Sequence, residues 1–347
     1  VNAPWLYSRF ADCLFILAPA FVVTLLVEVL PTEWLEHQKI DAWAWLLLVV
    51  GVDVAHVYST LWRTYFDPEA LRKYRGLLIG IPVGCWLAGV MLYSAGALVF
   101  WRVLAYIAVW HFVRQQYGFL RLYSRREPRS PMRYLDGAAI YLCTLYPLVY
   151  WHTHGRSFQW FVKGDFVESP LPPVIEQAGF VVYLAVLAAY FAKEAARGRD
   201  FNIPKNLIVL GSALSWYCGI VRHDGDLAFT ATNVVAHGVP YMALVWIHQR
   251  KQKPTAEDHA AYLRRWFRPS LLPVYAGVVI ALAYFEEGVW DALVWRDHSA
   301  FYGWLAWLPR IREQAVLAML VPLLALPQAT HYVLDGFIWK VREMRGP

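Results

Sequence analysis

The sequence predicts an all-α, polytopic membrane protein: a bundle of about ten transmembrane helices with both termini on the cytoplasmic side. Three observations carry this. Of 347 residues, 59% are hydrophobic, 16% aromatic and only 17% charged, a composition outside that of soluble domains. Apolar stretches near the roughly 20 residues needed to cross a bilayer recur along the whole chain. Basic clusters fall in alternate connections, the asymmetry expected of cytoplasmic loops.

Taken in order, the stretches lie near 11–30, 42–62, 77–98, 101–121, 134–151, 173–193, 205–221, 227–248, 270–286 and 314–338. The first has no small-residue cleavage site after it and is expected to remain as a helix. Between the third and fourth, SAGALVFWRV offers only a short turn. The ninth ends at Glu286 and Glu287, placing both at the outer face. Pro322 and Pro327 should bend the tenth, because each removes a backbone donor.

The connections then set orientation. Arg63, Arg72, Lys73 and Arg75 form one basic group, Arg121, Arg125, Arg126, Arg129 and Arg133 the next, and Lys193, Arg197, Arg199 and Lys205 the third. Arg250, Lys251, Lys253, Arg264, Arg265 and Arg268 follow, with Lys340, Arg342 and Arg345 last. The intervening loops, PTEWLEHQKI and EEGVWDALVWRDH among them, are acidic or mixed. Even-numbered helices therefore run from outside to inside. The inner stretch QRKQKPTAEDHAAYLRRWFRP reads as a charged amphipathic helix at headgroup level, with Tyr262, Trp266 and Phe267 on its apolar side. No soluble domain fits between the spans, so residues 1–347 are expected to form a single integral-membrane domain, with the bacterial inner membrane as its location.

The net charge of +6 follows from the loop asymmetry and from contact with anionic lipid, and no nucleic-acid motif accompanies it. Cys13, Cys85, Cys143 and Cys218 lie in apolar spans without CxxC spacing, which reads as buried thiols rather than disulfides. GxSxG, P-loop, GxGxxG and HExxH motifs are all missing, so hydrolase, nucleotide and zincin readings have no motif support.

The chemistry concentrates in four even-numbered helices. VVGVDVAHVYSTLW carries Asp53 and His56, AVWHFVRQQYG His111 and Gln115, ATNVVAHGVPY Asn233 and His237, and LPQATHYVLDGF His331 and Asp335. Spacings of three or four residues put both members of each pair on one helix face. Counting back from the nearest cytoplasmic basic residue at 1.5 Å per residue, the four histidines lie roughly 10 to 20 Å deep, levels that overlap once tilt is allowed. Ionisable residues inside apolar spans are costly and mark function by default.

Asp53, His56, His111, His237, His331 and Asp335 make a nitrogen and oxygen ligand set without thiolate, suited to one or two iron ions, with zinc or manganese as alternatives. Gln115 and Asn233 are expected to hold an imidazole or a bound water, and Arg114 to pair with Asp53 or Asp335 or to bind the anionic head of a substrate. His223 with Asp224 and Asp226, and His152 with His154, are weaker outer-loop groups.

This layout resembles the integral-membrane non-haem iron enzymes: fatty-acid hydroxylases and desaturases, alkane hydroxylases, and the Brp/Blh-type carotene-cleaving proteins. The HxxxH and HxxHH boxes of the first two groups are absent, and the dispersed single histidines are nearer the third. The resemblance implies a metal-dependent oxidoreductase acting on a lipophilic substrate in the cytoplasmic half of the bilayer, with membrane lipids around it. An electron-donor protein could dock on the basic inner face. Two alternatives use the same residues: a zinc-dependent hydrolase or transferase acting on a lipid headgroup, and a proton- or metal-coupled transporter.

Overall fold

The computed structural model describes residues 4–35, 39–128, 130–167, 171–251 and 265–339. His37, Arg129, Lys253, His259, Tyr262, Arg264, Lys340, Arg342 and Arg345 lie outside these residues, as does most of the amphipathic stretch. The described residues form helices joined by turns and loops, with no strand among them. We number the long helices α1 (Arg9–Val29), α2 (Ala42–Arg63), α3 (Arg75–Ala95), α4 (Ala97–Tyr123), α5 (Arg133–His154), α6 (Pro173–Ala195), α7 (203–222), α8 (Asp226–Lys251), α9 (Pro269–Trp295), α10 (Gln314–Leu324) and α11 (Leu326–Ile338).

Each of the ten predicted stretches is helical. Six helices, α1, α2, α3, α4, α6 and α9, are long and apolar enough to cross a membrane, and α10 with α11 makes a seventh if that bent pair is one span. The 43° bend between α10 and α11 falls where the prolines predict it, since neither Pro322 nor Pro327 can donate to the preceding turn. Between α3 and α4 the turn is a single residue. Gly96 sits at φ 155° and ψ 133°, a conformation that side chains with a Cβ rarely adopt. Much apolar surface on α3 and α6 faces outward, as at Met91 (69% exposed) and Val181 (65% exposed), which suits a lipid environment.

One correction concerns the ninth span. Helix α9 does not end at Glu286 but continues to Trp295, so Glu286 lies well inside it and is buried.

The chain divides into two compact units. The first contains Val1–Ile40, Ala105–Pro240 and Trp339–Pro347. Here α5 packs on α6 and α7, and α7 packs on α1. Its apolar core gathers Val109, Phe112, Trp151, Trp216 and Phe229, and the loop after α5 folds Phe158 and Phe166 into it. At the other side, Lys205 and Glu194 are fully buried. Lys205 Nζ lies 2.7 Å from Glu194, 3.1 Å from Glu127 and 3.6 Å from Asp136, while Lys193 binds Asp136 and Arg197 binds Glu127 at 2.7 Å. Lys193, Arg197 and Lys205, predicted as loop cations, are therefore spent on three carboxylates of their own unit.

The second unit contains Asp41–Leu104 and Tyr241–Ile338. In it α3 packs on α10 and α11, and α2 packs on α9 and α11.

Candidate functional site

In the first unit, α4 and α8 bring two predicted residues together. His111 and His237 are both buried, and their Nε2 atoms are 3.2 Å apart with the rings crossed at 79°. The ring of Phe112 lies flat against His237, centroids 3.6 Å apart, which fixes that imidazole's plane.

The backbone explains why the two helices meet at this level. Pro240 lies inside α8 and has no N–H, so the carbonyl one turn earlier, that of Ala236, loses its helical donor. Gln116 Nε2 supplies a replacement at 3.2 Å, and Gln115 Nε2 donates to the next carbonyl, that of His237, at 2.8 Å. Buried backbone acceptors freed by a proline are satisfied by a neighbouring helix in this way. Gln115 thus holds His237 through its main chain. Asn233 donates to the Phe229 carbonyl of its own helix at 2.8 Å. Behind it, a Cβ on Gly219 would collide with Thr232 Oγ1 and come within 3.2 Å of Asn233 Nδ2, so the bare glycine is what lets α7 lie against α8. Arg114 is exposed. It donates to the Tyr141 hydroxyl at 2.9 Å and lies over the rings of Trp110 and Tyr117.

In the second unit, α2 carries Asp53 and His56, and α11 carries His331 and Asp335. The rings of His56 and His331, both buried, cross at 76° with centroids 5.0 Å apart, and a nitrogen of one lies within 4.8 Å of a nitrogen of the other. Asp53 sits at the end of a π-wound stretch, Leu46–Val54, an irregularity that often accompanies functional positions. Its Oδ1 is 3.6 Å from His56 Nδ1.

His331 is held by two residues the sequence analysis did not select. Its Nδ1 lies 2.7 Å from Thr60 Oγ1, which lies 3.0 Å from the Tyr241 hydroxyl, and Tyr241 donates to Asp335 Oδ1 at 2.6 Å. Asp335 is itself 3.8 Å from His331 Nδ1. A contact at Nδ1 orients the imidazole and directs Nε2 elsewhere, the usual arrangement behind a ligating histidine. A signal for both missed residues was present. Thr60 follows His56, and Tyr241 follows His237, by four residues, the same one-turn interval that singled out the other pairs.

Glu286 supports this unit from α9. It accepts from Gln328 Nε2 at 2.7 Å and from Trp290 Nε1 at 3.4 Å, and Tyr58 of α2 faces it. Gln328 is three residues ahead of His331, so the contact ties α9 to the helix that carries that imidazole.

Among the described residues, neither of the weaker loop groups gathers around one point. Asp224 accepts from Ser157, Asp226 accepts from the Ile40 amide at 3.0 Å, and His223 turns instead to Glu28, 3.3 Å away. His152 contacts the Val167 carbonyl, while His154 stacks on Tyr150.

Chemically, the buried imidazoles offer nitrogen donors shielded from water. With metal–nitrogen bonds of roughly 2.0–2.1 Å, two imidazoles on one tetrahedral ion place their nitrogens about 3.3 Å apart. The His111–His237 separation of 3.2 Å fits that value. No protein-family model matches the chain, and no curated protein or solved structure matches it.

Proposed function

We propose that this protein is an integral-membrane, metal-dependent oxidoreductase, an oxygenase, hydroxylase or desaturase that acts on a lipophilic substrate. Iron would be held by the imidazoles of His111 and His237 in the first unit and by those of His56 and His331 in the second. The observation that carries the reading is the approach of two buried Nε2 atoms in the first unit to the spacing of ligands on a single ion. The sequence supplies the rest. Four helices predicted to run the same way place their histidines at overlapping depths, with no thiolate nearby, a donor set suited to iron, manganese or zinc.

Bound iron would supply dioxygen activation at a depth that an acyl or isoprenoid chain reaches laterally. The chain's own residues do the positioning. Thr60 holds Nδ1 of His331 while Tyr241, itself bound to Asp335, holds Thr60, Asp53 stands beside Nδ1 of His56, and Gln115 and Gln116 fix the height of α8 against α4. This assigns the two carboxylates to supporting the rings that bind the metal. We further propose ten spans with cytoplasmic termini in a bacterial inner membrane, and an electron-donor protein docking on the inner basic surface around Arg121 and Arg126.

The test is dioxygen uptake by iron-loaded protein in the presence of long-chain alkane, fatty-acyl and isoprenoid probes. Uptake that depends on one probe class and disappears in His237→Ala supports the reading. Full turnover by an iron-free preparation overturns it. Zinc in place of iron, with headgroup hydrolysis, would establish the transferase or hydrolase alternative. An Nε2–H···Nε2 hydrogen bond has the same length as the His111–His237 contact, so a protein that binds no metal would make these rings a proton relay.

A further inference from the structure

The first unit holds another convergence of ligand-type side chains, separate from the imidazoles assigned above. Glu28 is the penultimate residue of α1, and Cys218, Arg222 and His223 come from the end of α7. The last turn of α7, Tyr217–Arg222, is π-wound and is closed by a bond from the His223 amide to the Cys218 carbonyl. A π turn is wider than an α turn, so residues four and five apart share a face. Cys218, Arg222 and His223 are thereby aimed at one carboxylate.

Three of these contacts fall on the same atom. Glu28 Oε1 lies 3.4 Å from Cys218 Sγ, 3.3 Å from His223 Nε2 and 2.9 Å from Arg222 Nε, whereas Oε2 meets Arg222 alone, also at 2.9 Å. A Glu28–Arg222 ion pair accounts for the carboxylate and the guanidinium. It does not account for a buried thiol and an imidazole turned toward the same oxygen, with a ligand atom of each within 4.8 Å of the others.

We infer that Glu28, Cys218 and His223 form a zinc site. A thiolate, an imidazole and a carboxylate are three of the ligand types Zn2+ takes, and three protein ligands leave a fourth position open to solvent. The sulfur argues against magnesium and calcium, which select oxygen. Zinc would bind Oε1 while Arg222 retains Oε2, so the guanidinium orients the carboxylate. Binding releases the Cys218 thiol proton to solvent, because the thiolate is the ligand.

The test uses full-length protein in detergent, stripped of metal and titrated with Co2+, whose bond to a thiolate gives a charge-transfer band in the near ultraviolet. The expected result is such a band in wild type, displaced by Zn2+ and absent in Cys218→Ser. Affinity should fall at least about tenfold in Glu28→Gln and His223→Ala, as for loss of a single ligand or its close partner. The band should persist in His111→Ala, which separates this site from the proposed iron centre. No band in wild type would overturn the inference. So would a band of unchanged affinity in both Glu28→Gln and His223→Ala, since that would mean an adventitious thiol–cobalt contact. Glu28 and His223 are part-exposed, so these two variants keep the inference testable if Cys218→Ser does not fold.

Discussion

Replacing Thr60 by valine removes one hydroxyl and almost nothing else, which makes it a sharp probe of how His331 is held. The side chain is buried, and valine has nearly its shape. What disappears is the 2.7 Å contact to His331 Nδ1 and the 3.0 Å contact to Tyr241. Tyr241 keeps its bond to Asp335, so the loss falls mainly on the imidazole. Hydrogen bonds between helices in membranes contribute about 0.6 kcal/mol on average and up to about 1.7, so Thr60→Val should lower stability by that order. Metal affinity should fall further, by about 10- to 100-fold, the usual cost of removing a group that orients a ligating histidine. Thermal unfolding in detergent reads the first quantity and competition with an iron chelator reads the second. Thr60→Ser, which restores the hydroxyl, should recover most of the affinity. If Thr60→Val retains iron as wild type does, the hydroxyl does not position the ring.

Three further outcomes follow from the first unit. Lys205→Met should destabilise it by about 3–5 kcal/mol in thermal unfolding, because Glu194 is left buried among fewer cations. Gly219→Ala should cost about 1–3 kcal/mol through overpacking against Thr232 and should weaken metal binding at His237 if α8 is displaced; an unchanged unfolding temperature would show that α7 can move away freely. In the loop after α5, burial pushes the Asp165 carboxyl above its ordinary pKa, although it accepts from the amides of Phe161 and Val162. Because the folded-state pKa is the higher one, the protonated form favours the folded loop, and stability rises as pH falls through that value. Limited proteolysis of the loop should therefore slow as pH is lowered toward the ordinary carboxylate range, and Asp165→Asn should flatten the dependence.

The helices were legible because their signal is composition over about 20 residues, and even the bend of the last span could be read from Pro322 and Pro327. The end of α9 was not. Glu286 and Glu287 read as a polar boundary, yet Gln328, Trp290 and Tyr58 accommodate Glu286 inside the helix, and Gln328 and Tyr58 are distant in sequence. Within each unit, the one-turn rule found the imidazoles that meet. It misjudged the polar residues beside them for a common reason: side-chain amides serve whichever acceptor the backbone leaves open. Gln115 and Gln116 go to carbonyls near Pro240, and Asn233 goes to its own helix. The Glu28–Cys218–His223 group was hidden because its register depends on a π turn, whereas an α-helical reading puts Cys218 and His223 on different faces. Arg197, Lys193 and Lys205 looked like loop charges because Glu127 and Asp136, which pair with them, are contributed by other segments.

The proposed function requires that the buried imidazoles bind iron. Plasma mass spectrometry of the detergent-purified protein, beside His56→Ala and His111→Ala, tests it most directly. Iron binding by these imidazoles predicts one or two equivalents of iron in the wild type and less iron in each variant, one from each unit. Absence of stoichiometric metal after purification without chelators, or iron retained in both variants, would contradict it.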